Sequence, residues 1–289
     1  MPHIVDTLIE ERATRLRQRP RVWRAVQRFV YPLLGYERAL ALVDECQDMS
    51  GFEVFEHLSQ LLAMNVEVSG LDHLPETGRA VLICNHPAGI ADGIAVFDAI
   101  KAIRPDMTFF ANRDAVRCAP RLSEIIIPVE WVEEKRNHAK SKEMAKNMIG
   151  AFRDERLIVI FPSGRLAQPT PWGLVEREWL TSGVSLAQKY NCPMIPMHIT
   201  GHNSAFYYLL WFLNTELKDM TLFRELINKE GQRYRLQLGE AFVSDEDPQT
   251  LTPRLREFVT GGLKRGERRF PSAATDADPG ALATPPDPT

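Results

Sequence analysis

An α/β fold, with a mainly parallel central sheet flanked by helices and a helical N-terminal segment before it, is the architecture this sequence predicts. Three observations predict it. From residue 80 onward, short apolar runs alternate with stretches of helical period. Two of those runs, Ala80-Val81-Leu82-Ile83-Cys84 and Leu157-Ile158-Val159-Ile160-Phe161, are apolar at every position, as strands covered on both faces are. The length, 289 residues, and a composition of 44% hydrophobic and 25% charged residues suit a sizeable buried core.

Taken in order, the first feature is a basic stretch. Residues 12–28 hold seven arginines and no acid, and Val22, Val26, Phe29 and Val30 recur at helical spacing between Pro20 and Pro32. Such a segment suits either the surface of an anionic membrane or a helix packed on the body with a solvated arginine face. Residues 40–64 read as one or two helices, with Ser50-Gly51 as the break. Val66-Glu67-Val68 alternates like a strand, and Pro75-Glu76-Thr77-Gly78 is a turn. Strands follow at 80–84, 107–111, 125–129, 157–161, 194–199 and 234–238. Helices are expected over 91–103, 138–155, 181–190 and 252–268. The chain divides into a helical segment over 1–65, an α/β unit over 66–270, and a tail over 271–289. That tail is rich in Pro, Ala, Thr and Asp and reads as disordered.

Several function classes fall away. A net charge of -3 lacks the basic footprint of a nucleic-acid binder. The four cysteines, at 46, 84, 118 and 192, form no CxxC pair, so neither a zinc ribbon nor a disulfide framework is suggested, and reduced buried thiols fit a cytoplasmic setting. The apolar stretch 205–213 is too short to span a bilayer, and no signal-peptide pattern opens the sequence. The expectation is a cytoplasmic chain, peripheral on the inner face of a membrane.

Active sites of α/β sheets gather beyond the carboxyl ends of the strands. After the 80–84 strand comes Asn85-His86-Pro87-Ala88-Gly89-Ile90-Ala91-Asp92. His86 stands at the strand exit and Asp92 in the first turn of the next helix, where the helix dipole favours a carboxylate. A carboxylate bonded to one imidazole nitrogen fixes the tautomer and leaves the other free to take a proton, so the pair reads as a general-base dyad. The competing reading is a helix cap beside an ordinary edge histidine. Arg113 follows the 107–111 strand and suits phosphate oxygens, while Arg117 and Arg121 suit surface pairs with Asp114 or Glu124 equally well. After the 157–161 strand, Pro162-Ser163-Gly164-Arg165 turns the chain. Gly164 there permits close backbone approach, Arg165 adds a cation, and Ser163 is a substrate hydrogen-bonder or a turn residue. It lacks the G-x-S-x-G elbow of a nucleophile. Cys192-Pro193-Met194-Ile195-Pro196 opens another apolar strand whose prolines suit a sheet edge or a bulge.

With these four blocks in order, residues 66–240 resemble the glycerolipid acyltransferases, the family that includes 1-acyl-glycerol-3-phosphate acyltransferase. The matching blocks are 85–92, 109–113, 161–165 and 192–196. The resemblance implies a glycerol-phosphate acyltransferase-like fold and an acyltransferase. The enzyme would move a fatty acyl group from a thioester, acyl-CoA or acyl carrier protein, to a hydroxyl of a lyso-lipid or phospholipid precursor. It implies His86 as base, Asp92 as its orienting partner, and Arg113, Ser163, Gly164 and Arg165 around the acceptor, with no metal or cofactor. Five residues separate His86 from Asp92 where four are usual, a spacing that hemolysin-like relatives with His-Pro-x-Gly share. Ser163 stands where the family carries glutamate and Arg165 where threonine follows, so glycerol-3-phosphate or lysophosphatidate is not carried over as acceptor.

Two other classes compete. A non-catalytic lipid-binding protein of the same fold would account for the missing glutamate. A metal-dependent hydrolase would use His86, Asp92 and His198. Lys140, Lys142 and Lys146, on one expected helix, offer a surface to an acidic carrier protein as readily as to solvent.

Overall fold

The computed structural model describes residues 2–130 and 137–271; most of the expected tail, 272–289, lies outside them. Five helices come first: α1 (Ile4–Arg12), α2 (Thr14–Arg17), α3 (Pro20–Phe29), α4 (Tyr36–Glu45) and α5 (Gly51–Leu62). The break before α5 lies where Ser50-Gly51 places it. The Ser50 side chain accepts the Glu53 amide while the Glu53 carboxylate accepts the Ser50 amide, a reciprocal cap that starts a helix abruptly.

The α/β portion runs β1 (Asn65–Ser69), β2 (Ala80–Cys84), α6 (Ile90–Ile100), β3 (Thr108–Asn112), α7 (Arg113–Cys118), β4 (Ile126–Val129), α8 (His138–Arg153) and β5 (Leu157–Ile160). A short hairpin of β6 (Gln168–Thr170) and β7 (Gly173–Val175) follows, then α9 (Ser182–Lys189) and β8 (Met194–Thr200). Three helices, α10 (Ala205–Leu213), α11 (Thr215–Met220) and α12 (Leu222–Ile227), precede β9 (Arg233–Leu238) and α13 (Pro248–Glu257).

Seven strands form one sheet in the order β1-β9-β8-β2-β5-β3-β4. The pairings are parallel except β8 with β9, so β1 and β9 run against the other five. The expected mainly parallel sheet is present, and β2 and β5 are adjacent at its centre with every residue buried. Pro196 stands in the interior rather than at an edge. Its carbonyl accepts from Gly239 on the β9 side, so its missing N–H would point the same way. There β9 has ended, and one isolated bridge, Met194 to Phe242, resumes the pairing. The proline costs no ladder bond at that break.

The N-terminal helices share the main core. Leu42, Val54, Phe55 and Leu58 belong to the same buried cluster as Leu82, Phe97 and Phe109. A second cluster fills the opposite face of the sheet, joining Val81, Ile83 and Met194 to Phe152, Leu255 and Val259. α1 is pinned from outside by ion pairs to α7: Arg12 to Asp114 at 2.6 Å, and Arg117 to Glu11 at 2.9 Å.

The 252–268 helix ends at Glu257, where the backbone widens into one π turn at Phe258–Gly262. α7, α10, α11 and α12 and the β6–β7 hairpin lie where the sequence reading placed no element.

Candidate active site

The loop between β2 and α6 builds the site. Asp92 is the third residue of α6, is fully buried, and points its Oδ2 back over the helix start. That one oxygen accepts the amides of Ala88 (2.8 Å) and Gly89 (2.9 Å) and contacts His86 Nδ1 at 2.9 Å. The two sequence readings of Asp92, helix cap and histidine partner, therefore describe the same atom. Gly89 makes the turn possible. Its φ of +96° is unfavourable for a side chain, and a Cβ there would meet Leu166 Cδ2 at 3.2 Å.

A carboxylate can only accept, so the Nδ1 of His86 carries the proton and Nε2 is left with its lone pair. The imidazole is fixed on two further sides. Its ring stacks on Phe161, with centroids 4.4 Å apart. Its main chain donates N–H to Glu176 Oε2 at 3.1 Å and accepts from the Ala167 amide at 2.9 Å. Glu176 is buried, and its other oxygen accepts the Trp179 indole N–H at 3.1 Å. Sequence reasoning missed Glu176, because a glutamate between Val175 and Arg177 carries no signal beyond a polar loop.

His86 opens onto a cavity of about 340 Å³ whose walls are mainly apolar, among them Leu58, Ile94, Phe109, Phe161 and Leu226. Leu8 and Ile9 of α1 and Leu42 of α4 close it on the N-terminal side.

The other expected site residues fall out differently. Gly164, at φ +58°, lines the cavity. Ser163 is buried and donates its hydroxyl to the Arg165 carbonyl at 2.7 Å, which is the turn role. The Arg165 side chain is exposed, and neither residue lines the cavity. Arg113 begins α7 and donates through Nη2 to Glu143 of α8 at 2.8 Å, its buried Nε has no hydrogen-bond partner among the described protein groups, and the residue is absent from the cavity wall. Arg117 and Arg121 make the surface pairs that competed with ligand binding, Arg117 with Glu11 and Asp114 and Arg121 with Glu124. Asn85, next to the dyad, clamps the end of β8 by exchanging hydrogen bonds with the main chain of Ile199.

His198 is not brought to the dyad. It alternates with Met197 along β8 and faces the second cluster, against Val259 and Lys264. Burial, and then the Lys264 charge, push its imidazole down to about 4, against a hydrogen bond with the Val259 main chain. Among the described residues no three His, Cys, Asp or Glu side chains are grouped to hold a metal ion, which removes the hydrolase constellation of His86, Asp92 and His198. Among the same residues no helix is long and apolar enough to cross a membrane.

The chain is 22% identical over 242 residues to a lyso-glycine lipid O-acyltransferase of Phocaeicola vulgatus, covering 80% of this chain and 85% of that protein. It is 21% identical over 210 residues to a protein of the same name from Bacteroides thetaiotaomicron, covering 71% and 73%. A crystal structure of the 1-acyl-sn-glycerophosphate (LPA) acyltransferase from Thermotoga maritima superposes with a TM-score of 0.48 at 13% identity, over 76% of this chain and 82% of that one. The acyltransferase family model matches residues 65–200, a stretch that begins at β1, ends with β8 and contains both members of the dyad.

Proposed function

We propose that this protein moves a fatty acyl group from a thioester donor, acyl-CoA or acyl carrier protein, to the hydroxyl of a lyso-lipid. The observation that carries the reading is the oriented His86–Asp92 dyad at an apolar cavity. His86 Nε2 takes the hydroxyl proton as the acceptor oxygen attacks the thioester carbonyl. The tetrahedral adduct then collapses, the C–S bond breaks, and the imidazolium returns the proton to the departing thiolate. A thioester is already activated, so general-base help, worth roughly two to four powers of ten, and the alignment of the two substrates supply the catalysis without an acyl-enzyme. The cavity would hold the acyl chain, each buried methylene adding about 0.8 kcal/mol of binding.

The acceptor we infer is a lyso-lipid with an amino-acid headgroup rather than a phosphate. The relatives' names point that way, and Arg113, the expected phosphate ligand, pairs through Nη2 with Glu143 and does not line the cavity. The enzyme works as a peripheral protein at the cytoplasmic face of a membrane. Its support is the run of arginines in α2 and α3 together with exposed Val22, Phe29 and Leu33.

The test is lipid mass spectrometry after incubation with labelled acyl-CoA or acyl carrier protein and a panel of lyso-lipids, phosphate-bearing and amino-acid-bearing. Label is expected in an ester of an amino-acid lyso-lipid, and His86→Ala is expected to abolish it while the protein stays folded. Thioester binding without transfer to any acceptor would favour the non-catalytic lipid-binding protein. Transfer only to a phosphate-bearing acceptor would overturn the headgroup assignment.

A further inference from the structure

The β6–β7 hairpin stands on the main chain of His86, and the mechanism above does not use it. Its two feet hold that residue from either side. The amide of Ala167, one residue before β6, donates to the His86 carbonyl at 2.9 Å, and Glu176, one residue after β7, accepts the His86 amide at 3.1 Å. Above the feet the strands pair antiparallel, Gln168 with Val175, Pro169 with Leu174 and Thr170 with Gly173, which leaves Pro171-Trp172 as the tip. The tip is ordered by its own bonds. Thr170 Oγ1 donates to the Gly173 carbonyl at 2.7 Å and accepts the Trp172 amide at 3.3 Å, and Pro171 fixes its own φ. Gly173 takes a φ of +118°, which a side chain would resist. This turn holds Trp172 95% exposed, more than any other large apolar side chain among the described residues.

An indole has one apolar body and one N–H, and it favours a boundary that is dry on one side and wet on the other. The surroundings of Trp172 supply the rest of such a boundary. No charged residue lies between Arg165 and Glu176; Glu176 is buried, and Arg165 is exposed at the foot of the hairpin. β2, β5 and β8 are parallel neighbours, so the His86 loop, the hairpin and α10 all leave the same edge of the sheet. α10 carries no charged residue and exposes Leu209, Phe212 and Leu213. Just beyond it, Glu216 accepts the Thr14 hydroxyl at 3.1 Å and the amides of Arg15 and Leu16 at 2.9 and 3.0 Å, which fastens the end of α10 to the arginine-rich segment. One edge of the molecule thus presents exposed apolar side chains bordered by arginines. That combination suits the headgroup layer of an anionic bilayer.

We propose that the β6–β7 hairpin is a membrane probe: Trp172 enters the headgroup layer of an anionic bilayer and sets His86 at a fixed height above the lyso-lipid. The proposal rests on the peripheral-membrane reading of the function and deepens it. From Ala167 to Trp172 an extended strand reaches at most about 17 Å, so the base stands close over the surface from which its acceptor comes. The feet bond to the main chain of His86 and leave its ring to Asp92. The hairpin therefore governs where the base meets the bilayer and leaves its proton chemistry alone.

The experiment takes the full chain and vesicles of phosphatidylglycerol and phosphatidylcholine, with and without lipid brominated just below the headgroup. Tryptophan emission is compared between the wild type and Trp172→Phe, which share the other four tryptophans. Bromolipid should quench the wild-type emission, and most of that quenching should be missing from Trp172→Phe. Trp172→Ala should bind the vesicles about tenfold more weakly. It should also raise KM for a long-chain lyso-lipid held in vesicles, while turnover of a water-soluble short-chain lyso-lipid stays unchanged. Both substitutions fall on an exposed tip and leave the Thr170 bonds and the strand pairing in place. Equal quenching of wild type and Trp172→Phe, with equal vesicle affinity for Trp172→Ala, overturns the proposal. So does a defect seen only with acyl carrier protein as donor, or the loss of a dimer, while vesicle binding persists; the tip would then belong to a protein contact. Quenching is read without turnover, so vesicle binding without acyl transfer would sink the enzymatic assignment and leave this one standing. Vesicle binding with an unquenched Trp172 would sink the hairpin's role and leave the peripheral reading standing.

Discussion

Glu176 accepts the main-chain N–H of His86 from 3.1 Å while Asp92 accepts the same residue's ring, so His86 is held by two buried carboxylates on two different parts of its structure. The first fixes where the residue sits, and the second fixes how its ring turns and which nitrogen is free.

Asp92→Asn separates those roles. An amide nitrogen at Oδ2 would face the amides of Ala88 and Gly89, and an amide oxygen there no longer offers a charge to Nδ1. Turnover is expected to fall by roughly two to four powers of ten, with KM for the donor little altered. Asp92→Ala leaves two buried N–H groups unpaired and is expected to lower stability further, by about 1–3 kcal/mol for each. Steady-state kinetics and denaturant melts check both.

Glu176→Ala leaves the His86 amide and the Trp179 indole without their acceptor. The expected outcome is a loss of about 2–4 kcal/mol in stability together with lower kcat, because the loop that carries the base loses an anchor. Glu176→Gln keeps one acceptor oxygen and should recover most of the stability. Urea unfolding of the three proteins reads this, and equal midpoints would refute the anchoring role.

His198 makes the fold sensitive to acid. Its imidazole titrates near 4 in the folded chain, below the value of about 6.5 it has when unfolded. The unfolded chain therefore binds the proton first, and the stability contributed by neutral His198 is complete above pH 6.5 and is lost as the pH falls toward 4. That loss is on the order of 3 kcal/mol. His198→Gln should flatten this part of the stability–pH curve between pH 7 and pH 4.5, as read by thermal melts in matched ionic strength.

Arg19, Arg21, Arg24 and Arg28 are exposed on or beside α3. Exchanging three of them for glutamine should weaken binding to anionic vesicles, read by sedimentation, by about a hundredfold, at roughly 1 kcal/mol per cation lost near the surface. Binding should also weaken with salt, and zwitterionic vesicles should show little dependence on the exchange. Unchanged binding to anionic vesicles would overturn the membrane assignment of this segment.

Much of the sheet was legible because its strands are short, wholly apolar and separated by turn residues; β2 and β5 are examples, each central and fully covered. The dyad was legible for a local reason: seven consecutive residues, 86–92, carry both partners, and local geometry is what a sequence encodes most directly. Three kinds of feature escaped. Glu176 reaches His86 across ninety positions, and no spacing announces such a contact. Arg113 has the right chemistry for an anion, and its ion pair with Glu143 of another element carried no signal in the sequence. The helices α10 to α12 are short, and α10 is apolar nearly all round, so no amphipathic period marks it. Pro196 suggested a sheet edge or a bulge; it stands in the interior, at the break in pairing after β9.

Leu8, Ile9 and Leu42 stand outside residues 65–200, yet they wall the chamber beside the base. On the proposed function, the catalytic unit is therefore larger than the stretch that the family model matches. A version trimmed to that stretch would leave the imidazole facing open water, where an activated acyl group meets hydrolysis before it meets an alcohol.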